Sequence, residues 1–343
     1  RIYSYALTGK QKEAFIMDIK TRVLMELKGA DSYVSGQDLC ERWGVSRTAV
    51  WKVINQLKSE GYEIDSVTNK GYKLTKLPDI LSKSEIESVI PTGGIVNKVI
   101  YFDETDSTNT RAKLFGEEGM ADGALVVADC QNMGKGRRGK SFTSPRGQSV
   151  YMTFLLRPDI PPVRASMITI LSAMAVRSGL REICGIDTLI KWPNDVVADG
   201  KKICGILTEM SAELTKINYV VVGIGINVNN KKMPKDIENV AVSARMLTGR
   251  EQGRSLIIGS VCKWFGAYYH KFLSTLDLSL IKEEYNKYLI NYNKEVEIVK
   301  EKESYRAKSL GIDDEGRLLV EREGKIEAVL SGEVSVRGVY GYV

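Results

Sequence analysis

The stretch "VSGQDLCERWGVSRTAVWKVINQLKSEGY", residues 34–62, constrains the fold of this chain more than any other. Ser35 is placed to cap a short helix bearing Leu39 and Trp43. Gly44 ends that helix, Val45 plugs the turn, and Ser46 caps a second helix carrying Val50, Val53, Ile54 and Leu57. Two helices joined by a tight glycine turn read as a helix-turn-helix, although an ordinary helical hairpin matches the same pattern. The second helix keeps Arg47, Thr48, Trp51, Lys52, Asn55 and Gln56 off its apolar stripe, and such residues suit phosphates and base edges. "YEIDSVTNKGYKLT" then reads as strand, Asn-Lys-Gly turn and strand, which makes the unit a winged helix. The candidate DNA contacts are Gly36, Gln37, Ser46, Arg47, Thr48, Trp51, Lys52, Asn55 and, in the wing turn, Lys70.

Charge agrees with that reading. Residues 1–76 hold 13 Lys and Arg against 9 Asp and Glu, or +4 of the chain's net +6. A basic excess concentrated there points to a polyanion. Upstream, "MDIKTRVLMELKGA" from Met17 places Ile19, Val23, Leu24 and Leu27 on one helical stripe, whereas residues 1–16 resist assignment.

Beyond the linker "KLPDILSKSE" the periodicity changes. Apolar strands ("KVIYFDET", "GALVVADC", "VYMTFLL", "TLIKWPND", "ICGILTEM", "NYVVVGIGINV") alternate with helices expected near 164–182 and 254–272, giving a mixed α/β core. From Glu295 short strands broken by Gly311, Gly316, Gly324 and Gly332 predict a small β-barrel of about 50 residues. The expected organisation is a winged helix-turn-helix at 17–77, a core at 83–290 and a barrel at 294–343.

Several classes of chemistry are excluded. The single histidine, His270, sits in an apolar-periodic stretch and is expected on the packed face of a helix, so a His-based triad or zinc site has no material. Five cysteines without C-x-x-C spacing suit reduced thiols in a cytoplasmic protein. No signal peptide is read, and no apolar run approaches the roughly 20 residues of a membrane span.

"GKGRRGK", residues 134–140, has the G-x-G-x-x-G spacing of a dinucleotide turn, and a credible strand precedes it. The next segment of chain, "SFTSPRGQS", lacks the helix that must hold a pyrophosphate, so the dinucleotide reading falls. Three glycines still permit close backbone approach, and Lys135, Arg137, Arg138 and Lys140 supply charge for phosphates or a carboxylate. The two readings left are a basic lid over an anionic ligand and a solvated loop. Lys191 in "KWPND" ends a strand where a cleft would lie, unless it is a solvated terminus. Ser107, Thr108 and Asn109 are donors that also suit a helix start, and Asn227 lies at the end of a buried strand.

Taken in order, "DSTN", "GKGRRGK", "KWPND", "KKICGILTE", "GIGINV" and "SGEVSVR" resemble the motifs of the biotin protein ligases. With the winged helix in front, residues 17–343 are similar to the bifunctional class that combines ligase and biotin operon repressor. The resemblance implies a class II synthetase-like core, an SH3-like barrel, and the substrates biotin and ATP with Mg²⁺. It implies formation of biotinyl-5′-adenylate and transfer of biotin to a lysine of a biotin carboxyl carrier domain. It also implies homodimerisation on adenylate binding, operator DNA as a partner, and no membrane. Ser107, Thr108, Asn109 and Gln131 would border biotin, with Lys135, Gly136 and Arg137 in the loop that orders over it. Lys191 and Arg137 would be catalytic, Lys191 meeting the biotin carboxylate. Arg137, Arg138, Phe142, Asn194, Asn227, Glu333 and Arg337 would serve the nucleotide. The chain departs from the usual pattern in having Lys135 and Lys140 for arginines and Phe142 for a tryptophan. The competing readings are a biotin-sensing regulator without activity, a ligase with a vestigial winged helix, and a lipoate ligase.

Overall fold

The structure is a computed structural model that describes residues 17–139, 141–300, 304–331 and 335–338, with the backbone alone for Arg138, Ser335 and Arg337. Residues 1–16 lie outside the described residues. The chain divides into two compact units, one ending at Pro78 and the other beginning at Asp79.

In the first unit, α1 (Ile19–Gly29) starts at Asp18, whose carboxylate accepts from the Thr21 amide at 2.7 Å. The hydroxyl of Ser35 accepts from the Gln37 and Asp38 amides at the head of α2 (Gly36–Trp43). Gly44 then takes φ +64°, a backbone state that suits glycine. The Ser46 hydroxyl accepts from Ala49 to open α3 (Arg47–Ser59). Leu24, Leu39, Ile54 and Leu57 are all but fully buried, and each such side chain contributes about 1.5–3 kcal/mol of hydrophobic stabilisation. Strands β1 (Glu63–Val67) and β2 (Gly71–Lys76) form the antiparallel wing. Gly71 is needed there: its φ is +109°, and a Cβ would overlap the Val34 carbonyl, which pairs with Tyr72.

The second unit opens with α4 (Lys83–Glu87), capped by Ser82, and then β3 (Lys98–Phe102), α5 (Thr108–Glu117) and β4 (Ala124–Ala128). Next come strand β5 (Ser149–Leu156), helix α6 (Met167–Cys184), hairpin β6 (Leu189–Lys191) with β7 (Asp195–Ala198), and long strands β8 (Lys201–Ala212) and β9 (Ile217–Asn227). Helices α7 (Ala244–Thr248), α8 (Arg254–Thr275) and α9 (Lys282–Tyr288) complete the core. The seven strands form one mixed sheet in the order β3-β4-β5-β9-β8-β7-β6, with β3 and β4 parallel and the other pairs antiparallel.

Side-chain alternation assigns the two faces. Phe154 of β5 stacks on Phe265 of α8 with ring centroids 4.5 Å apart, and Thr208 of β8 bonds Thr169 of α6, so even-numbered residues of β5, and of β8 between Cys204 and Thr208, face α6 and α8. The odd-numbered residues face α5. The segment Pro162–Cys184 is, against expectation, apolar enough to cross a membrane by length and composition, with a mean hydropathy of 1.2. It is a core helix here, 72% buried within the fold.

Five further strands, β10 (Glu295–Val299), β11 (Ser304–Ile312), β12 (Leu318–Arg322), β13 (Lys325–Val329) and β14 (Ser335–Gly338), form an antiparallel sheet in the order β13-β12-β11-β10-β14. Trp192 Nε1 donates to the Gly316 carbonyl at 3.0 Å, fastening this sheet to the core. His270 lies on α8 but on its solvent side, its Nδ1 2.7 Å from the Gly266 carbonyl, so the expected packed position is not observed. All five cysteines are free: Cys184, Cys204 and Cys262 are buried, Cys40 and Cys130 half-buried.

Candidate active site

On the α5 face a cleft of about 470 Å³, open to solvent, lies over the middle of the sheet. Its floor is two rows of residues that face one another across three strands. One row is Thr153, Gly223 and Leu207; the other is Tyr151, Gly225 and Gly205. Three of the six positions are glycine, and each leaves room for a side chain from elsewhere. A Cβ on Gly223 would overlap the Asn109 amide. One on Gly225 would come 2.7 Å from the Phe142 ring, and one on Gly205 would come 2.8 Å from Nζ of Lys202.

Over the first row lies a closed hydrogen-bond network. The Thr108 amide and hydroxyl both donate to Gln131 Oε1, at 2.8 and 3.1 Å, and Gln131 Nε2 donates to Ser144 at 2.9 Å. The fully buried Thr153 hydroxyl lies 2.8 Å from Thr108 Oγ1 and 2.7 Å from Asn109 Oδ1. Asn109 Nδ2 donates in turn to Glu209 at 2.9 Å, and Lys113 binds the other oxygen of that carboxylate at 2.8 Å. Burial pushes the Glu209 carboxyl up, but the bonds from Lys113 and Asn109, with the charges of Lys113 and Lys135, outweigh it and hold it below its ordinary value. Ser107 occupies the N-cap position of α5 without a capping bond from its side chain. The residue is among those that line the cleft.

Over the second row the chemistry is cationic. Lys202 reaches the cleft because of a bulge: Val196 faces Cys204, but Val197 faces Lys202, leaving Ile203 as an extra residue in β8. Plain alternation would place Lys202 with Cys204 and Ile206 on the helix face; the bulge turns it over. Lys135, Gly136 and Arg137 also line the cleft. Their loop is closed by Phe142 N donating to the Gly134 carbonyl at 2.9 Å, with a 3-10 turn at Arg137–Gly139. No helix opens after this turn, which agrees with dismissing a dinucleotide site. Arg137 crosses the cleft, donating to Asn194 Oδ1 and to the Ser331 carbonyl, each at 2.7 Å.

The structure thus gathers Ser107, Thr108, Asn109, Gln131, Lys135, Gly136, Arg137, Phe142 and Asn194 around one cleft. Lys191 is not among the lining residues. It stands opposite Asp195 at the end of the β6–β7 hairpin, 7% exposed, and the lysines that line the cleft are Lys135 and Lys202. Asn227 is also elsewhere: its amide donates to the Val242 carbonyl at 3.2 Å. Glu333 and Lys140 lie outside the described residues, as do the side chains of Arg138 and Arg337. Tyr151, Leu207 and Ile224 carry no motif signal in the sequence but line the cleft; burial pushes the Tyr151 phenol up and keeps it neutral.

In the first unit, Arg47, Thr48, Trp51, Lys52 and Asn55 are exposed together on one face of α3, with Trp51 58% exposed. Arg47 donates twice to Gln37 Oε1, at 2.6 and 3.0 Å, tying α3 to α2. Ser46 and Lys70 are exposed as well, and Gly36 is half-buried.

Three family models match the chain: the biotin/lipoate A/B protein ligase family over residues 101–227, a helix-turn-helix domain over 20–73, and the biotin protein ligase C-terminal domain over 292–337. The bifunctional ligase/repressor BirA of Bacillus subtilis is 38% identical over 317 residues, covering 91% of this chain and 97% of the relative. The chain belongs to the biotin protein ligases. Escherichia coli BirA, also a bifunctional ligase/repressor, is 26% identical over 92% of this chain and 96% of the relative. Among solved structures, the biotin protein ligase from Aquifex aeolicus in complex with biotin and ATP superposes with a TM-score of 0.63 at 30% identity. That match covers 70% of this chain and 99% of the other. The ligase-family match ends at Asn227, the last residue of β9, so it takes in the whole floor of the cleft.

Proposed function

We propose that this chain is a cytoplasmic ligase that joins biotin to ATP, forming biotinyl-5′-adenylate, and passes biotin to a lysine of a biotin carboxyl carrier domain. With the adenylate bound it represses biotin synthesis and uptake genes. The observation that carries this reading is the division of one cleft into a neutral polar row and a cationic row. A cyclic urea needs donors and acceptors in fixed places, which the network of Thr108, Gln131, Thr153 and Asn109 provides. Its carboxylate would extend toward Lys202, two sheet positions on, roughly 7 Å away.

Adenylation brings a carboxylate against a triphosphate. Lys202, Lys135 and Arg137 would offset that repulsion and stabilise charge at the reacting phosphorus. Lys202 takes the part that the resemblance gave to Lys191. Phe142, whose ring packs against Gly225, offers a ring for stacking. Arg137, anchored on Asn194 and Ser331, would hold the loop over the adenylate and keep water from the mixed anhydride. No group of three or more His, Cys, Asp or Glu is placed to hold a metal among the described residues, so Mg²⁺ would arrive with the triphosphate, whose oxygens and water supply most ligands.

Repression rests on the exposed face of α3 and the wing. Beyond Gly205, β8 continues to Ala212 without β7 beside it, near exposed Met210 and Leu214. Such an edge can take a strand from a second copy or from the carrier domain, so homodimer and acceptor would compete for it. Five free thiols suit a reducing compartment.

The test is incubation with biotin, MgATP and a biotin carboxyl carrier domain. A biotinylated lysine is expected, and its absence sinks the ligase reading. Biotin-dependent footprinting on a biotin-synthesis promoter tests the repressor half; lack of protection leaves a ligase with an unused winged helix.

A further inference from the structure

The row Tyr151, Gly225, Gly205 continues one strand further, to Asp195 in β7, which stands opposite Gly205. Alternation therefore puts the Asp195 carboxylate on the face that carries the cleft. Its Oδ1 lies 2.7 Å from Lys202 Nζ and accepts from Asn194 Nδ2 at 3.1 Å. The Asp195 side chain is 15% exposed and that of Lys202 30%, so the pair is partly shielded from water. Lys202 lies across Gly205, where a Cβ would come 2.8 Å from its Nζ, so the glycine is what lets the ammonium sit there. A flexible four-carbon stem can sample many rotamers, and the ion pair selects one. Asn194 also accepts from Arg137, which joins two of the three cations of the cleft, Lys202 and Arg137, to one support.

A carboxylate beside a site for two anions would oppose binding if its charge faced the ligand alone. Paired with Lys202 it acts differently. We propose that Asp195 is the positioning residue of this site, fixing the Lys202 ammonium above Gly205 where the carboxylate and triphosphate must meet. The inference rests on the reading of the cleft as a biotin and ATP site.

The test uses the full chain and biotin-dependent ATP–pyrophosphate exchange in a double-mutant cycle of D195A and K202M. Wild-type exchange comes first; without it, the reading of the site fails and this inference with it. D195A is expected to lower kcat by about 10–100-fold, the effect of misplacing a catalytic group by an ångström or so. D195N keeps an acceptor for Lys202 without the charge and should fall between D195A and wild type. In the K202M background D195A should cost nothing further, because Asp195 acts through Lys202. Biotinol, the alcohol analogue, reports on the intact cleft and should bind D195A and wild type equally. Three results would each overturn the inference: D195A within twofold of wild type, an equal loss in the K202M background, or lost biotinol affinity.

Discussion

Arg254 Nη1 lies 2.6 Å from a carboxylate oxygen of Asp129 inside the second unit, with the arginine 2% exposed. The same guanidinium holds Asp79 through Nε at 2.7 Å, and the Arg254 amide donates to Asp79 as well. Asp79 is the first residue of this unit, and Asp129 lies two positions before Gln131 of the cleft. Burial opposes the charge on Arg254, yet the two carboxylates outweigh it and leave its pKa raised. Arg254→Met would remove the buried cation that both carboxylates share, leaving Asp79 its bond from Asn229 and Asp129 a 3.6 Å contact with Arg146, and should cost about 3–5 kcal/mol. Urea denaturation reads this directly; a loss under about 1 kcal/mol would contradict it.

Glu209 gives a pH dependence. Its folded pKa is lowered, so its contribution is present above the unfolded value and disappears as pH falls through the folded one. Glu209→Gln should cost roughly 1 kcal/mol or less at pH 7, since the carboxylate is part-exposed. The gap to wild type should close below about pH 4, under the ordinary glutamate value of about 4.3. Denaturation at pH 7 and pH 3 checks the sign.

Gly225→Ala places a methyl against the Phe142 ring. Overpacking of this kind costs about 1–3 kcal/mol. The Kd for adenylate should rise roughly 5–150-fold, measured by calorimetry, while global stability changes less.

Arg137→Gly removes both bonds that carry the loop across the cleft. The variant should still form adenylate but release it, labelling lysines of bystander proteins. Gel filtration of the adenylate complex measures retention, and retention equal to wild type would refute the lid.

Lys52 is exposed beside Trp51 on α3. Lys52→Ala should weaken binding to all sequences alike and reduce the salt slope by about 1. A change in sequence preference at constant slope would mean that it reads bases.

The features legible in the sequence were local. The caps at Ser35 and Ser46, the left-handed Gly44 and the extents of α6 and α8 arise from residues a few positions apart. Most residues around the cleft, Lys135 among them, were recognisable from motifs, but Lys202 was not. Lys202 reaches the cleft only through a one-residue bulge, which alternation along β8 does not reveal. Tyr151 was hidden for another reason: every residue of β5 is buried, so its two faces look alike in sequence. Asn227 looked free as a ligand group because its bond to Val242 crosses 15 positions of chain.

The distribution of thiols has a practical consequence. Burial pushes the Cys184 thiol up to about 11, and it raises Cys204 and Cys262 as well, so all three resist maleimides at neutral pH. Cys40 belongs to the DNA-binding unit and Cys130 stands next to Gln131 at the cleft. The chain therefore carries one half-buried thiol on each unit, more exposed than the other three. Fluorescence energy transfer between them could track the spacing of the two units as biotin and ATP are added, with no residue replaced.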